Sequence, residues 1–233
     1  MTKKTDAANG VRKTRGIRPE MRPLTGDETA QLAGYLADWR TPEEVHGALQ
    51  AVGEVAGFYT VGQGALKIWR EAFVAMSCLQ LSHARRLRLG DDPPDFELEY
   101  DHGVQDFELV DVLPAGRRLG EVYKTYARNL NETGRTELER VGGQEEHEAL
   151  LADFERQLLA KMAKGYETSL ILVADIHHEL EPGSDYPMEQ RLARIAQAGL
   201  DRFREVWIRK GASIIRVSPF GMTRMSGIGP QDD

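Results

Sequence analysis

Only one cysteine, Cys78, occurs in the 233 residues. A lone thiol cannot close a disulfide within the chain or build a cysteine zinc site. A reducing cytoplasm is the compartment expected. Long apolar runs are also missing, and no stretch reaches the roughly 20 residues that span a bilayer. No apolar segment follows the basic, polar start, so no secretory signal and no membrane partner are expected. Neither an internal repeat nor a low-complexity tract is present. Gly227-Ile228-Gly229 has no helix after it and does not make a phosphate loop.

What remains is the composition of a globular chain, 41% hydrophobic and 29% charged. The length suits one sizeable α/β domain, or one domain with a small extension. A net charge of −7 argues against sequence-blind coating of nucleic acid by the whole surface, though not against a local basic path. Lys3, Lys4, Arg12, Lys13, Arg15, Arg18 and Arg22 crowd the start against Asp6 and Glu20. Residues 1–22 are therefore expected to be a disordered basic tail, either solubilising or phosphate-seeking.

Two capping signals follow. Thr25 with Glu28, and Thr41-Pro42 with Glu44, open two amphipathic helices. Residues 23–60 read as a helical N-terminal cap, and residues 64–219 as the main α/β core. A long helix is expected from about Ala65 to Arg86, burying Leu66, Trp69, Phe73, Met76 and Leu79. Arg85, Arg86 and Arg88 gather where it ends, either as cations suited to the helix dipole or as phosphate contacts. Beyond a hairpin come a helix from Arg117 to Asn129 and an amphipathic helix from Gln144 to Lys164 with Leu151, Phe154, Leu158 and Met162 on one face. The apolar run Ser169–Ile176 reads as a strand buried on both sides. A helix from Pro187 to Arg209 and a strand from Ser213 to Val217 close the core. Residues 220–233 read as a flexible tail. The sum is a mixed sheet with helices on both faces.

The chemistry concentrates in the hairpin. Strand alternation puts Phe96, Leu98 and Tyr100 on one face and Asp95, Glu97 and Glu99 on the other. A turn near Asp101 to Gly103 sets Asp95 opposite Glu108 and Phe96 opposite Phe107. Paired β-carbons lie about 5 Å apart, so the two carboxylates repel unless a cation or proton lies between them. Mg²⁺ takes one or two carboxylates plus waters and phosphate oxygens. A solvent-facing strand edge with ordinary acids produces the same alternation without a metal. The segment Arg117 to Arg128 then offers Glu121 as a third acid and a cationic stripe of Arg117, Lys124 and Arg128, with Arg118 alongside. Lys124 could orient water or neutralise a transition-state phosphate; a surface ion pair is the plain alternative.

Asp95 after Pro94, the hairpin, and Glu108 thirteen residues later resemble the PD-(D/E)XK nuclease superfamily, of restriction-endonuclease-like fold. The wider pattern, a helix ending in Arg-Leu-Arg, then Pro-Asp-Phe-Glu-Leu, then Arg-Arg-Leu-Gly-Glu-Val-Tyr-Lys, also looks like uncharacterised bacterial and phage proteins near that group. The resemblance covers roughly residues 64–176. It implies a helix, a three-stranded meander, a second helix and a fourth strand, and a Mg²⁺- or Mn²⁺-dependent endonuclease or exonuclease acting on DNA. Asp95 and Glu108 would hold the metal, Glu121 would stand behind them, and Lys124 would assist the water. Arg85, Arg86, Arg117, Arg118 and Arg128 would bind phosphates, and a homodimer stays open. The third signature position is Val110, not lysine, which is why Lys124 is the candidate. A catalytically inactive member that binds nucleic acid or a protein is the alternative, and an assembly role for the helical cap is a third.

Other residues carry less. His177-His178-Glu179 invites a metal, but adjacent residues on an extended chain point apart. His102 belongs to an exposed turn. Ser218 and Ser226 lack a base. Cys78, Trp39, Trp69 and Trp207 read as packing residues.

Overall fold

The computed structural model describes residues 22–57, 67–91, 93–113, 144–166, 168–177 and 187–226. Helix α1, Gly26–Leu36, and helix α2, Pro42–Ala56, each start on a threonine whose hydroxyl accepts an N3 amide while the N3 glutamate accepts the threonine amide in return. These are the two capping boxes that the sequence announces. Both helices bury a narrow apolar stripe, Leu32 and Leu36 on α1, Val45, Leu49 and Ala56 on α2. Their stripes pack with helix α3, Lys67–Ser82, whose Ala72, Val74, Ala75, Met76, Cys78 and Leu79 are buried.

Among the described residues seven strands form one mixed sheet in chain order: β1 Arg86–Leu89, β2 Phe96–Tyr100, β3 Gly103–Val112, β4 Ile171–Ile176, β5 Glu205–Lys210, β6 Ser213–Ser218 and β7 Gly221–Ser226. β1, β2 and β3 are antiparallel, β3, β4 and β5 parallel, and β5, β6 and β7 antiparallel. Helix α4, Gln144–Met162, lies between β3 and β4 in the chain, and helix α5, Met188–Gly199, between β4 and β5. Parallel neighbours need such crossovers. Among the described residues, no helix is long and apolar enough to cross a membrane.

Two cores sandwich the sheet. On the α1–α3 side Phe96 stacks on Phe107 at 4.9 Å between ring centroids, and Trp207 meets Phe107 edge-on at 5.1 Å. On the α4–α5 side Leu150, Phe154, Leu158 and Leu192 cover Val110, Leu172, Val206 and Ile208. Every residue of β4 is buried, which is why its sequence carries no alternation. Gly199 fits where α5 crosses β5, since a β-carbon there would stand 2.8 Å from Val206 and 2.9 Å from Leu158.

Three expected boundaries move. The helix α3 ends at Ser82 rather than Arg86, and His83 leaves it in the left-handed conformation at φ 57°. Arg86, Arg88 and their neighbours are strand β1, because Leu87 enters the core while Arg86 and Arg88 pair across to β2. The helix from Pro187 stops at Gly199, and Glu205–Lys210 is a central strand with Val206, Trp207 and Ile208 buried. Residues 221–226, expected within a flexible tail, form the edge strand β7. Trp207 is a core residue as expected, but on a strand. The segment that carries Arg117, Arg118, Glu121, Lys124 and Arg128 lies outside the described residues, as do residues 1–21 and His178.

Candidate metal and phosphate site

The hairpin has the register that its alternation predicts. Phe96 faces Phe107 and Glu97 faces Asp106 across β2 and β3. Asp95, one residue before β2, turns to β3, and its Oδ2 accepts the Leu109 amide at 2.7 Å. Asp95 and Glu108 are both buried, the latter 1% exposed. Gly90 fixes the approach to Asp95. Its amide donates to the Asp95 carbonyl at 3.0 Å, and a β-carbon on it would stand 2.2 Å from the Pro94 carbonyl oxygen.

The counter-charge comes from two helices. Lys161, near the end of α4, makes a partly buried ion pair with Oε1 of Glu108. The same oxygen accepts the Tyr166 hydroxyl at 2.6 Å. Helix α4 is held in place by Asp153, which is buried and accepts the Leu113 amide at 3.0 Å just past β3. At the N-terminal end of α3, Lys67 lies 3.1 Å from Glu71 and 3.9 Å from Asp95. Glu71 is itself buried.

These three acids do not share charge comfortably. Burial raises the Asp95 carboxyl above its ordinary range, and Glu108 raises it further, against the Leu109 hydrogen bond and the two lysines. Burial likewise raises Glu71, with Asp95 adding to it. Oε2 of Glu108 is buried and has no hydrogen-bond partner among the described residues. A buried, unpartnered carboxylate oxygen beside a second carboxylate is what a hard cation satisfies. The donor set therefore fits a divalent ion held by Asp95 and Glu108. Glu71 does not complete a tight three-ligand group with them, since among the described residues the group whose ligand atoms all lie within 4.8 Å is Asp111, Asp175 and His177.

That second group is charge-balanced. Asp111, Asp175 and Arg209 share one rung of β3, β4 and β5. Arg70 binds Asp111 at 2.7 Å, Arg209 binds Asp175 at 2.6 Å, and Nε2 of His177 lies 2.8 Å from Asp111 and 3.3 Å from Asp175. Two guanidiniums already neutralise its two carboxylates, so it reads as a structural network rather than a metal centre.

The residues expected to touch phosphate fare differently. Arg85 pairs with Asp101, Arg86 with Glu99 at 2.6 Å, and Arg88 with Glu97, so these three arginines are matched one to one by acids. Arg86 and Arg88 also lie over the Trp39 ring, at 5.9 and 4.8 Å from its centroid. Glu97 and Glu99 are thereby withdrawn from the acid cluster. His102 is exposed, as expected, and Cys78 is buried in the core, where burial pushes its thiol up. Between α1 and α2 an apolar groove of about 540 Å³ opens, with Leu32, Tyr35, Ala48 and Val52 in its walls.

Sequence reasoning missed Lys161, Tyr166 and Glu71. A signal existed for two of them. Lys161 continues the buried stripe of Phe154 and Leu158 at helical spacing, and Glu71 interrupts the stripe that leads to Ala75 and Cys78. A charge set into an apolar stripe asks for a partner. Comparison of the chain with protein-family models, with curated proteins and with solved structures finds no match.

Proposed function

We propose that this chain is a divalent-metal-dependent phosphodiesterase of restriction-endonuclease-like fold that acts on DNA. The observation that carries the reading is the buried pair Asp95 and Glu108, with one Glu108 oxygen unpartnered and a lysine at the other. The order supports it as well: α3, the antiparallel strands β1 to β3, α4, and β4 parallel to β3 is the succession that the resemblance implies.

Asp95 and Glu108 would hold the ion. When bound, it would supply Lewis acidity toward a phosphoryl oxygen. Lys161 is a second candidate, beside Lys124 outside the described residues, for the lysine that assists the water. Val110, at the signature position, packs in the α4–α5 core, so its place is filled by an aliphatic residue while an ammonium reaches Glu108 from the facing helix. Lys161 orients Glu108 and offers positive charge where phosphate charge develops. Tyr166 fixes the same carboxylate by its hydroxyl.

Supercoiled DNA incubated with the protein and Mg²⁺ or Mn²⁺ should be nicked. Asp95→Asn, which keeps an acceptor for the Leu109 amide, should abolish nicking with an unchanged circular dichroism spectrum. Wild-type protein that neither cleaves nor binds either ion overturns the proposal. The Lys161–Glu108 ion pair favours one competing reading, a non-catalytic nucleic-acid or protein binding module in which lysine stands where the metal would. Saturable Mn²⁺ binding that Asp95→Asn removes excludes it.

A further inference from the structure

The carboxylate cluster lies at the start of α3, where Lys67 meets Asp95. At the other end of this 16-residue helix, roughly 24 Å away along its axis, a second cavity of about 510 Å³ opens beside Leu81 and Ser82. Its wall is basic. Arg204, Arg216, His83 and His102 all line it. Among the described lining residues the only carboxylate is Glu205, and Glu205 is already committed. It is buried, accepts the Trp207 indole N–H at 2.7 Å and Nε of Arg216 at 2.6 Å, and also binds Nη2 of Arg216.

Both guanidiniums are held from behind. The Glu205 clamp uses one edge of Arg216 and leaves Nη1 outside the pair. Arg204 donates Nη1 to Gln105 at 2.6 Å, and Gln105 is anchored in turn through its amide to the Ser169 carbonyl at 2.7 Å. A clamped guanidinium loses little entropy on binding and matches the geometry of a phosphate group. An aromatic surface stands beside them. His102 stacks on Tyr100 at 5.2 Å, and the Tyr100 hydroxyl shares a hydrogen bond with Ser82 at 2.8 Å. Burial pushes Tyr100 up to about 12, so it stays a neutral phenol at physiological pH.

We propose that this cavity binds a phosphomonoester bearing a planar ring, of mononucleotide size, with Arg204 and Arg216 on the phosphate and His102, backed by Tyr100, against the ring. The volume is that of a small-molecule site. The proposal is independent of cleavage at Asp95 and Glu108.

Isothermal titration of the full chain with a nucleoside monophosphate, its nucleoside and inorganic phosphate tests it. The monophosphate should bind saturably and at least tenfold tighter than either part. Arg204 and His102 are exposed, so Arg204→Ala/His102→Ala should keep the thermal midpoint while weakening binding at least tenfold. Asp95→Asn should bind as wild type. Absence of saturable binding, equal affinity for phosphate alone, an unaffected double variant, or loss of binding in Asp95→Asn each overturns the assignment. Competition by a 5′-phosphorylated tetranucleotide identifies a strand end as the source of the group, and failure to compete identifies the free nucleotide.

Discussion

Lys161 and Glu108 are joined by an ion pair that bridges α4 and β3, 53 positions apart in the chain, with side chains 16% and 1% exposed. Breaking one side of such a pair leaves an uncompensated buried charge, at a cost of about 3–5 kcal/mol. Lys161→Met should therefore lower unfolding stability by roughly 3 kcal/mol, read from urea denaturation midpoints. Lys161→Met/Glu108→Gln should recover most of that loss. A double variant as unstable as the single one would mean that packing of the lysine stem, not its charge, carries the effect.

Asp95 and Glu71 make the apo protein uneasy at neutral pH. Both carboxyls have folded-state values raised by burial. The native state thus holds protons that the unfolded chain has released, and stability falls as pH rises from the ordinary carboxylate range through the raised values. In chelator, wild-type stability should improve as pH is lowered from neutral into that window, and Asp95→Asn should be the more stable protein at pH 7. Mn²⁺ should reverse the order by stabilising wild type alone. Thermal midpoints across pH, with and without metal, measure both.

Asp111 has the opposite sign. Burial would raise it, but the His177 hydrogen bond and the Arg70 charge hold it below its usual range. Its contribution is full above the unfolded value and is lost as pH falls through the folded one. Asp111→Asn should destabilise the protein at pH 7 and flatten the acid limb of the stability curve, a result opposite to that for Asp95→Asn.

Gly90→Ala tests whether backbone placement governs the site. The new β-carbon collides with the Pro94 carbonyl, which must shift, and Asp95 is the next residue. The substitution should cost on the order of 1–3 kcal/mol. It should also weaken Mn²⁺ binding although no ligand is altered. Unchanged metal affinity would show that Asp95 is positioned by β3 alone.

The hairpin was legible because its order is local. Two adjacent strands with opposed Phe96 and Phe107 allow one register that buries both rings, and that register, continued by one residue, places Asp95 by Glu108. The capping boxes were equally local. The ends of α3 and α5 were not, because Arg85 and Arg86, like Arg202 to Glu205, have adequate helix propensity, and only the sheet's demand for Leu87, Val206 and Trp207 decides against a helix. The counter-ions were hidden for a related reason. Nothing near Glu108 in the chain foretells Lys161, since the contact arises from how α4 lies on the sheet. The rung of Asp111, Asp175 and Arg209 likewise exists only once three parallel strands are aligned.

Among the described residues, each strand of the sheet pairs only with those that immediately precede or follow it in the chain. The described strands therefore leave the ribosome in the order in which they lie in the sheet, and none of them must be inserted between two made earlier. β1, β2 and β3, joined in part by the short Asp101-His102 turn, are complete before β4 is made. Lys161 and Tyr166 emerge only afterwards. For that interval the nascent chain carries Asp95 and Glu108 without Lys161 and Tyr166, so the acidic pair is made before one of the two lysines that face it.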